Sequence, residues 1–317
     1  MNKIRERMAF GRASRIALSP SITARLTGII RRSLILMVIL GLNNPVSLLL
    51  LGLLNRIFGR PIHSLFICYP ATPKYREQYC FRFMLPLIRR YPVVVGAFHQ
   101  GGRIGLVGNI SAVEREFTEP GFYSRFQRYT RFIQGVLGVR EVTYSGILPN
   151  SMRRAGYLSD TDADHRCQLV AGVVTAAEAG VRARQTLNSD TPVIVLGGKG
   201  AVGSVVVSRL REDLRETHCV DAGDNFPDHL GGREVILINV ARKGALLPLI
   251  DRLWKGVILL NETYPEPRPQ TVRPLKAQGI DVYHISGVKA RALPPFPHAY
   301  CGGIPYCVMN PDAGSSR

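Results

Sequence analysis

Val193 to Gly203 reads VIVLGGKGAVG: four apolar, mostly branched residues running into Gly197, Gly198, Gly200 and Gly203. A helical apolar pattern follows, from Gly203 to Leu214. Two glycine spacings fit at once. Gly198, Gly200 and Gly203 satisfy GxGxxG, and Gly197, Gly200 and Gly203 satisfy GxxGxxG. Such a strand-turn-helix needs glycine for three reasons: the chain turns tightly, its amides approach a diphosphate, and the helix packs close to its strand. Asp221 ends the next strand, where an acidic side chain takes the hydroxyls of an adenosine ribose. The reading is a Rossmann dinucleotide-binding domain, with Gly197, Gly198, Lys199, Gly200, Ala201, Val202, Gly203, Asp221, Asn239 and Val240 as cofactor-binding residues.

The expected cofactor is NAD or NADP. Asp221 favours NAD, because a carboxylate repels a 2′-phosphate. Arg242 and Lys243 follow another strand end and are placed either to serve a phosphate or to sit in a solvated loop. Cys68, Cys80, Cys167, Cys219, Cys301 and Cys307 form no CxxC pair and no Cys/His zinc spacing, so free thiols and no metal are expected.

Outward from the loop the pattern is regular. Strands at Thr217–Asp221, Glu234–Val240, Gly256–Asn261 and Asp281–Ser286 are joined in part by helices at Leu246–Trp254 and Thr271–Gln278, which predicts a parallel sheet with right-handed crossovers. Upstream, His63–Tyr69, Pro92–Gln100, Arg103–Ile110 and Glu141–Leu148 read as strands, and Lys74–Arg90, Gly121–Val136 and Asp164–Thr186 as helices. The expected class is α/β throughout. Residues 1–62 form a basic arm and an apolar segment, 63–188 an α/β substrate domain, 189–290 the Rossmann domain and 291–317 a C-terminal tail.

The formal charge of +18 exceeds what solubility requires, so the surface attracts anions. Lys3, Arg5, Arg7, Arg12, Arg15, Arg25, Arg31 and Arg32 meet only Glu6 in residues 1–32. Ser33 to Asn55 then holds no charged residue, about the length of a bilayer-spanning helix; a buried core helix fits the same stretch. A secretory signal is disfavoured, because no small-residue cleavage site follows. Asn43, Asn44 and Pro45 also break the stretch in half.

A straight span with the basic arm inside puts everything after Arg56 outside the cytoplasm, away from a nicotinamide cofactor. A helical hairpin of Leu34–Leu42 and Val46–Phe58, dipping into one leaflet, avoids that conflict. The expectation is a cytoplasmic chain held at an anionic membrane surface through residues 33–58. Nucleic acid is not expected, since the basic residues lack an aromatic-interleaved or helix-turn-helix context.

The pieces also resemble, in order, the cyanobacterial long-chain acyl-ACP reductase family, itself similar to shikimate dehydrogenase and glutamyl-tRNA reductase Rossmann domains. Arg103–Glu114 (RIGLVGNISAVE) looks like that family's opening strand and turn, and Tyr144–Ser151 (YSGILPNS) is similar to its glycine-containing loop. VIVLGGKGAVGS matches its GxxGxxGS loop, ILLNETYP its strand ending in Tyr-Pro, and YHISGV its last strand. The resemblance implies reduction of an acyl-CoA or acyl carrier protein thioester to an aldehyde through a cysteine acyl-enzyme. Cys301, in HAYCGGIPYC, is the positional counterpart of the cysteine, with His165, His298 and Tyr264 as accompanying candidates. The acidic-aliphatic helix after the family's cysteine is absent, Asp221 departs from a phosphorylated cofactor, and the family lacks this N-terminal region. Two other functions fit the residues: a dehydrogenase of a small hydroxy or keto compound, and a non-catalytic membrane protein that senses NAD(P).

Overall fold

A computed structural model of the chain describes residues 13–15, 22–70, 72–100, 102–242, 244–264, 266–288, 290–297, 300 and 303–308. The side chains of 13–15, 22–25, 74, 78, 87, 160–163, 165 and 308 are outside that description. Packing divides the chain into two units: the described residues of 20–163 with 289–310, and those of 1–19 with 164–288. In chain order the elements are β1 (Ala13–Arg15), α1 (Ile22–Leu42), α2 (Pro45–Ile57), β2 (Ile62–Cys68), α3 (Pro73–Tyr79), α4 (Leu85–Ile88), β3 (Val93–Gln100), β4 (Arg103–Asn109), α5 (Phe122–Leu137) and β5 (Glu141–Tyr144). There follow α6 (Leu148–Arg154), α7 (Asp160–Arg184), β6 (Val193–Leu196), α8 (Ala201–Glu212), β7 (Thr217–Val220), β8 (Val235–Asn239), β9 (Val257–Asn261), α9 (Pro269–Ala277), β10 (Asp281–Ile285) and β11 (Arg291–Leu293).

In the first unit a mixed sheet runs β11-β3-β4-β2-β5, with β2 parallel to both β4 and β5, and β3 antiparallel to β4. Its core gathers Leu65, Ile67, Leu106 and Ile110 of the sheet region against Phe122, Phe126, Ile133 and Leu137. Those four α5 residues recur at helical spacing, and Gly121 and Gly138, both left-handed, bound the helix. Three expectations need correction here. The helix expected over Lys74–Arg90 ends at Tyr79, where Cys80 and Phe81 turn extended, and resumes through a 3-10 turn at Arg82–Met84 with Pro86 in the first turn of α4. The strand expected over Glu141–Leu148 ends at Tyr144, where left-handed Gly146 and then Pro149 start a helix. In the other unit the helix expected over Leu246–Trp254 is a 3-10 segment at Leu247–Arg252, with Pro248 in its first turn.

Asparagines fix α1 and α2 to the first unit. Asn43 at the break clamps Val94 on β3, donating to its carbonyl and accepting from its amide, both at 2.7 Å. Asn44 caps α2 by accepting from the Ser47 amide, with Pro45 in the first turn. Asn55, almost fully buried, donates to the Ile62 and Leu137 carbonyls and accepts from the Ile62 amide. No single described helix is long and apolar enough to cross a membrane. The segments Leu26–Leu42 and Pro45–Ile57 reach that length and hydropathy only together, and they are bent by 87°.

The second unit is built on the sheet β1-β10-β9-β8-β6-β7, in which β10, β9, β8, β6 and β7 are parallel and β1 is an antiparallel edge. β6, β8 and β9 are buried along their whole length and rich in Val, Ile and Leu, as strands covered on both faces require. α8 buries Gly203, Val206, Val207 and Leu210, one stripe at helical spacing. From Asp164 onward α7 also belongs to this unit: Arg209 of α8 donates to Gln168, and Gln185 donates to Asp281 and the Tyr283 hydroxyl. The chain leaves β6 for β7 on one side and returns past β6 to β8 on the other. The strand ends of β6 and β8 therefore open the crevice in which doubly wound sheets bind ligands.

Candidate functional site

Each glycine of the loop has a measurable reason. Gly197 leaves β6 with φ +90°, and a Cβ there would lie 2.7 Å from the Ala241 Cα. Gly203 sits in the first turn of α8 so close to the strand end that a Cβ would fall 2.0 Å from the Gly197 carbonyl oxygen. A side chain at Gly198 would meet Cys219 at 3.0 Å. Gly200 is the N-cap in extended geometry, and no side chain caps the helix. The first-turn amides of Ala201, Val202 and Gly203 are thus the orphan donors of a helix start, at its positive end and beside a loop with no side-chain bulk.

Asp221, just past β7, faces this loop. Its Oδ2 accepts the Lys199 amide at 2.7 Å, and its Oδ1 has no hydrogen-bond partner among the described residues. Asp224 completes the corner: Oδ2 accepts the Asp221 amide at 2.9 Å and Oδ1 takes the Lys199 ammonium at 2.7 Å. That pairing lowers the Asp224 carboxyl and raises the Lys199 ammonium from their ordinary values, each chiefly through their mutual hydrogen bond. The Lys199 ammonium is consequently drawn toward Asp224.

Along the same strand ends runs a buried polar row. Asn239 ends β8, donates to Asn261 Oδ1 at 2.7 Å and accepts the Ala241 amide at 3.2 Å. Val240 is half-buried, and its amide continues the sheet to the Leu196 carbonyl. Asn261 ends β9 and donates to the Thr263 carbonyl at 2.8 Å. His284 of β10 lies with Nδ1 3.0 Å from both the Asn261 carbonyl and its side-chain nitrogen, while Nε2 is buried with no partner among the described residues. Burial lowers its pKa from 6.5 to about 4, against the smaller opposing effect of the Asn261 hydrogen bond, so the ring is neutral at pH 7. The Tyr264 ring packs edge-on at 4.7 Å, and its hydroxyl donates to the Ile285 and Ser286 carbonyls.

The structure thus brings Gly197 to Gly203, Asp221, Asn239 and Val240 together at one end of one sheet. Tyr264 joins the buried row in that unit. Cys301, His298 and Lys243, and the side chain of His165, fall outside the described residues; Arg242 is described and exposed. In the other unit, burial pushes the Cys68 thiol up to about 12, with nearby Cys307 contributing less, which keeps Cys68 a thiol at neutral pH. Two features escaped sequence reading. The hydrogen-bonded Asn239–Asn261–His284 row depends on register between three strands: Asn239 pairs with Asn261, and Asn261 with His284. Glu216, His218 and His229 also gather on the surface with their ligand atoms within 4.8 Å of one another, though Glu216 also holds Arg233.

No family model matches the chain, and no curated protein matches it significantly. Among solved structures it is similar to a shikimate dehydrogenase in complex with NADP+, at 11% identity and a TM-score of 0.39, over 71% of this chain and 85% of that one. It is also similar to glutamate dehydrogenase from Peptoniphilus asaccharolyticus, at 12% identity and a TM-score of 0.33, over 69% of this chain and 64% of that one. Likeness at that level carries no argument about activity, which rests on the residues described above.

Proposed function

We propose that the chain is an NAD(P)-dependent oxidoreductase whose dinucleotide diphosphate sits on the first turn of α8. The observation that carries this reading is the approach of Gly203 to the Gly197 carbonyl, a packing no larger residue permits, at the switch point of a parallel sheet. The residues fit the cofactor in three places. The amides of Ala201, Val202 and Gly203 would hold the diphosphate, Oδ1 of Asp221 would accept from the ribose hydroxyls, and the ends of β8 and β9 would border the nicotinamide. The nicotinamide supplies the hydride. With the Asp221 carboxylate at the adenosine end, and the Lys199 ammonium already held by Asp224, a 2′-phosphate meets like charge, which favours NAD over NADP.

As to substrate, the reading we carry forward is an acyl thioester, with Cys301 forming the acyl-enzyme and His165 or His298 moving the proton. Its support is the ordered resemblance of the sequence segments. The purified chain, supplied with NADH and either acyl-CoA or acyl carrier protein thioester, is expected to oxidise NADH and release aldehyde. A Cys301→Ser variant that keeps full activity rules out the covalent route. Oxidation of a small hydroxy compound when NAD+ is supplied instead, with no aldehyde formed from thioesters, points to a dehydrogenase that needs no cysteine, and cofactor binding without turnover to a sensor.

A further inference from the structure

We infer that the outward face of α1 and α2 is a docking surface for an anionic lipid bilayer, on which the chain lies without crossing. This inference is independent of the cofactor reading. On α2, Leu48, Gly52 and Asn55 are buried. The opposite stripe, Val46, Leu49, Leu50, Leu53, Leu54 and Ile57, is exposed, from 41% at Leu54 to 75% at Val46. Phe58, just past the helix, is 72% exposed. These positions recur every three to four residues, so the stripe that faces outward is as apolar as the one packed inward. A helix bathed in water carries polar residues there. α1 carries exposed apolar residues of its own, Leu26, Ile29, Ile30, Met37 and Leu40. An exposed apolar stripe of this length marks an interaction site.

The face is held in place rather than left loose. Gly52 presses α2 onto α5, where a Cβ would lie 1.9 Å from the Val136 carbonyl oxygen, and Arg56 donates to the Gly135 carbonyl at 2.6 Å. The clamps of Asn43 on β3 and Asn55 on Leu137 then leave the outer stripe no inward position to turn to.

Charge selects the occupant. No Asp or Glu occurs between Glu6 and Glu77, or between Glu119 and Glu141. The elements at this face, α1, α2 and α5, therefore carry positive charge alone. Arg60 is exposed just past α2, and Arg128 and Arg131 are exposed on α5 together with Tyr129 and Phe132. A second copy of the chain would bring like charges face to face, which opposes association. An anionic bilayer accepts both features: acyl chains take the apolar stripe and headgroups take the arginines. Because the helices are bent by 87° and neither is long and apolar enough to span, the bound state is interfacial.

The test uses the full chain with vesicles of phosphatidylcholine alone or mixed with phosphatidylglycerol. Flotation with the mixed vesicles, weakening as salt rises, is expected. Arg128→Gln with Arg131→Gln is expected to cut partitioning on the order of twentyfold at low salt. Leu50→Asp with Leu53→Asp is expected to abolish it while circular dichroism and the melting temperature stay at parental values, since both residues are exposed. A Leu53→Trp variant reports insertion directly through a blue-shifted emission on the mixed vesicles. Flotation on neither vesicle, or equally on both, overturns the proposal. So does a dimer in light scattering that the Asp variant converts to monomer, which would assign the face to a second copy.

Discussion

At the residue scale the glycine loop was legible because each glycine answers a local need that spacing alone displays. Gly203 is the sharpest case: with 2.0 Å between a Cβ and the Gly197 carbonyl, Gly203→Ala must push α8 off β6. We predict about 1–3 kcal/mol of lost stability in urea unfolding, together with at least a tenfold loss of NADH affinity. His284 was legible only as a histidine near a strand end. Its neutrality comes from burial, which strand pairing far along the chain produces, and it holds against the opposing hydrogen bond to Asn261. In the unfolded chain the ring takes a proton near pH 6.5, whereas in the folded chain it stays neutral to about 4. Between these values the unfolded state binds more protons, so stability falls as pH falls, by roughly 3 kcal/mol over the whole window. His284→Gln is expected to shrink the difference in unfolding free energy between pH 7 and pH 4.5. An unchanged difference contradicts the burial account.

Elements were read well where one period dominates. β6, β8 and β9 are continuous apolar runs, and α5 and α8 carry a single buried stripe, so their positions follow from pattern. The failures fall where the backbone turns inside an otherwise regular pattern: Cys80 and Phe81 go extended, Gly146 turns left-handed after β5, and Pro248 opens a 3-10 segment. The start of β6 is set by α7, through a buried pair that the sequence does not announce. Arg182 bonds Glu178 within the helix, donates to the Thr191 carbonyl at 3.1 Å and holds the Asn188 carbonyl as well. Arg182→Met leaves a buried carboxylate and two carbonyls without their donor, and is expected to cost about 3–5 kcal/mol in chemical denaturation. Adding Glu178→Met should recover part of that loss, because the stranded charge is then gone.

For the whole molecule, the alternation of strands and helices established the α/β class, and the glycine loop located the parallel sheet. Composition is where sequence reached furthest and stopped soonest. The +18 charge and the apolar stretch at 33–55 point to an anionic surface, but which side of each helix faces outward is decided by Asn43, Gly52 and Asn55, whose partners lie across the fold. The chemistry of the substrate was least legible, since Cys301, His165 and His298 are lone residues whose roles depend on what they meet in space.

The central claim is that the mouth of the loop between Leu196 and Ser204 grips a dinucleotide. Calorimetric titration of NADH and NADPH into the purified chain and into Gly203→Ala tests it most directly. The account predicts one site per chain, NADH bound more tightly than NADPH, and a large loss of affinity in the variant. No heat of binding from either nucleotide, or equal binding by the variant, contradicts it.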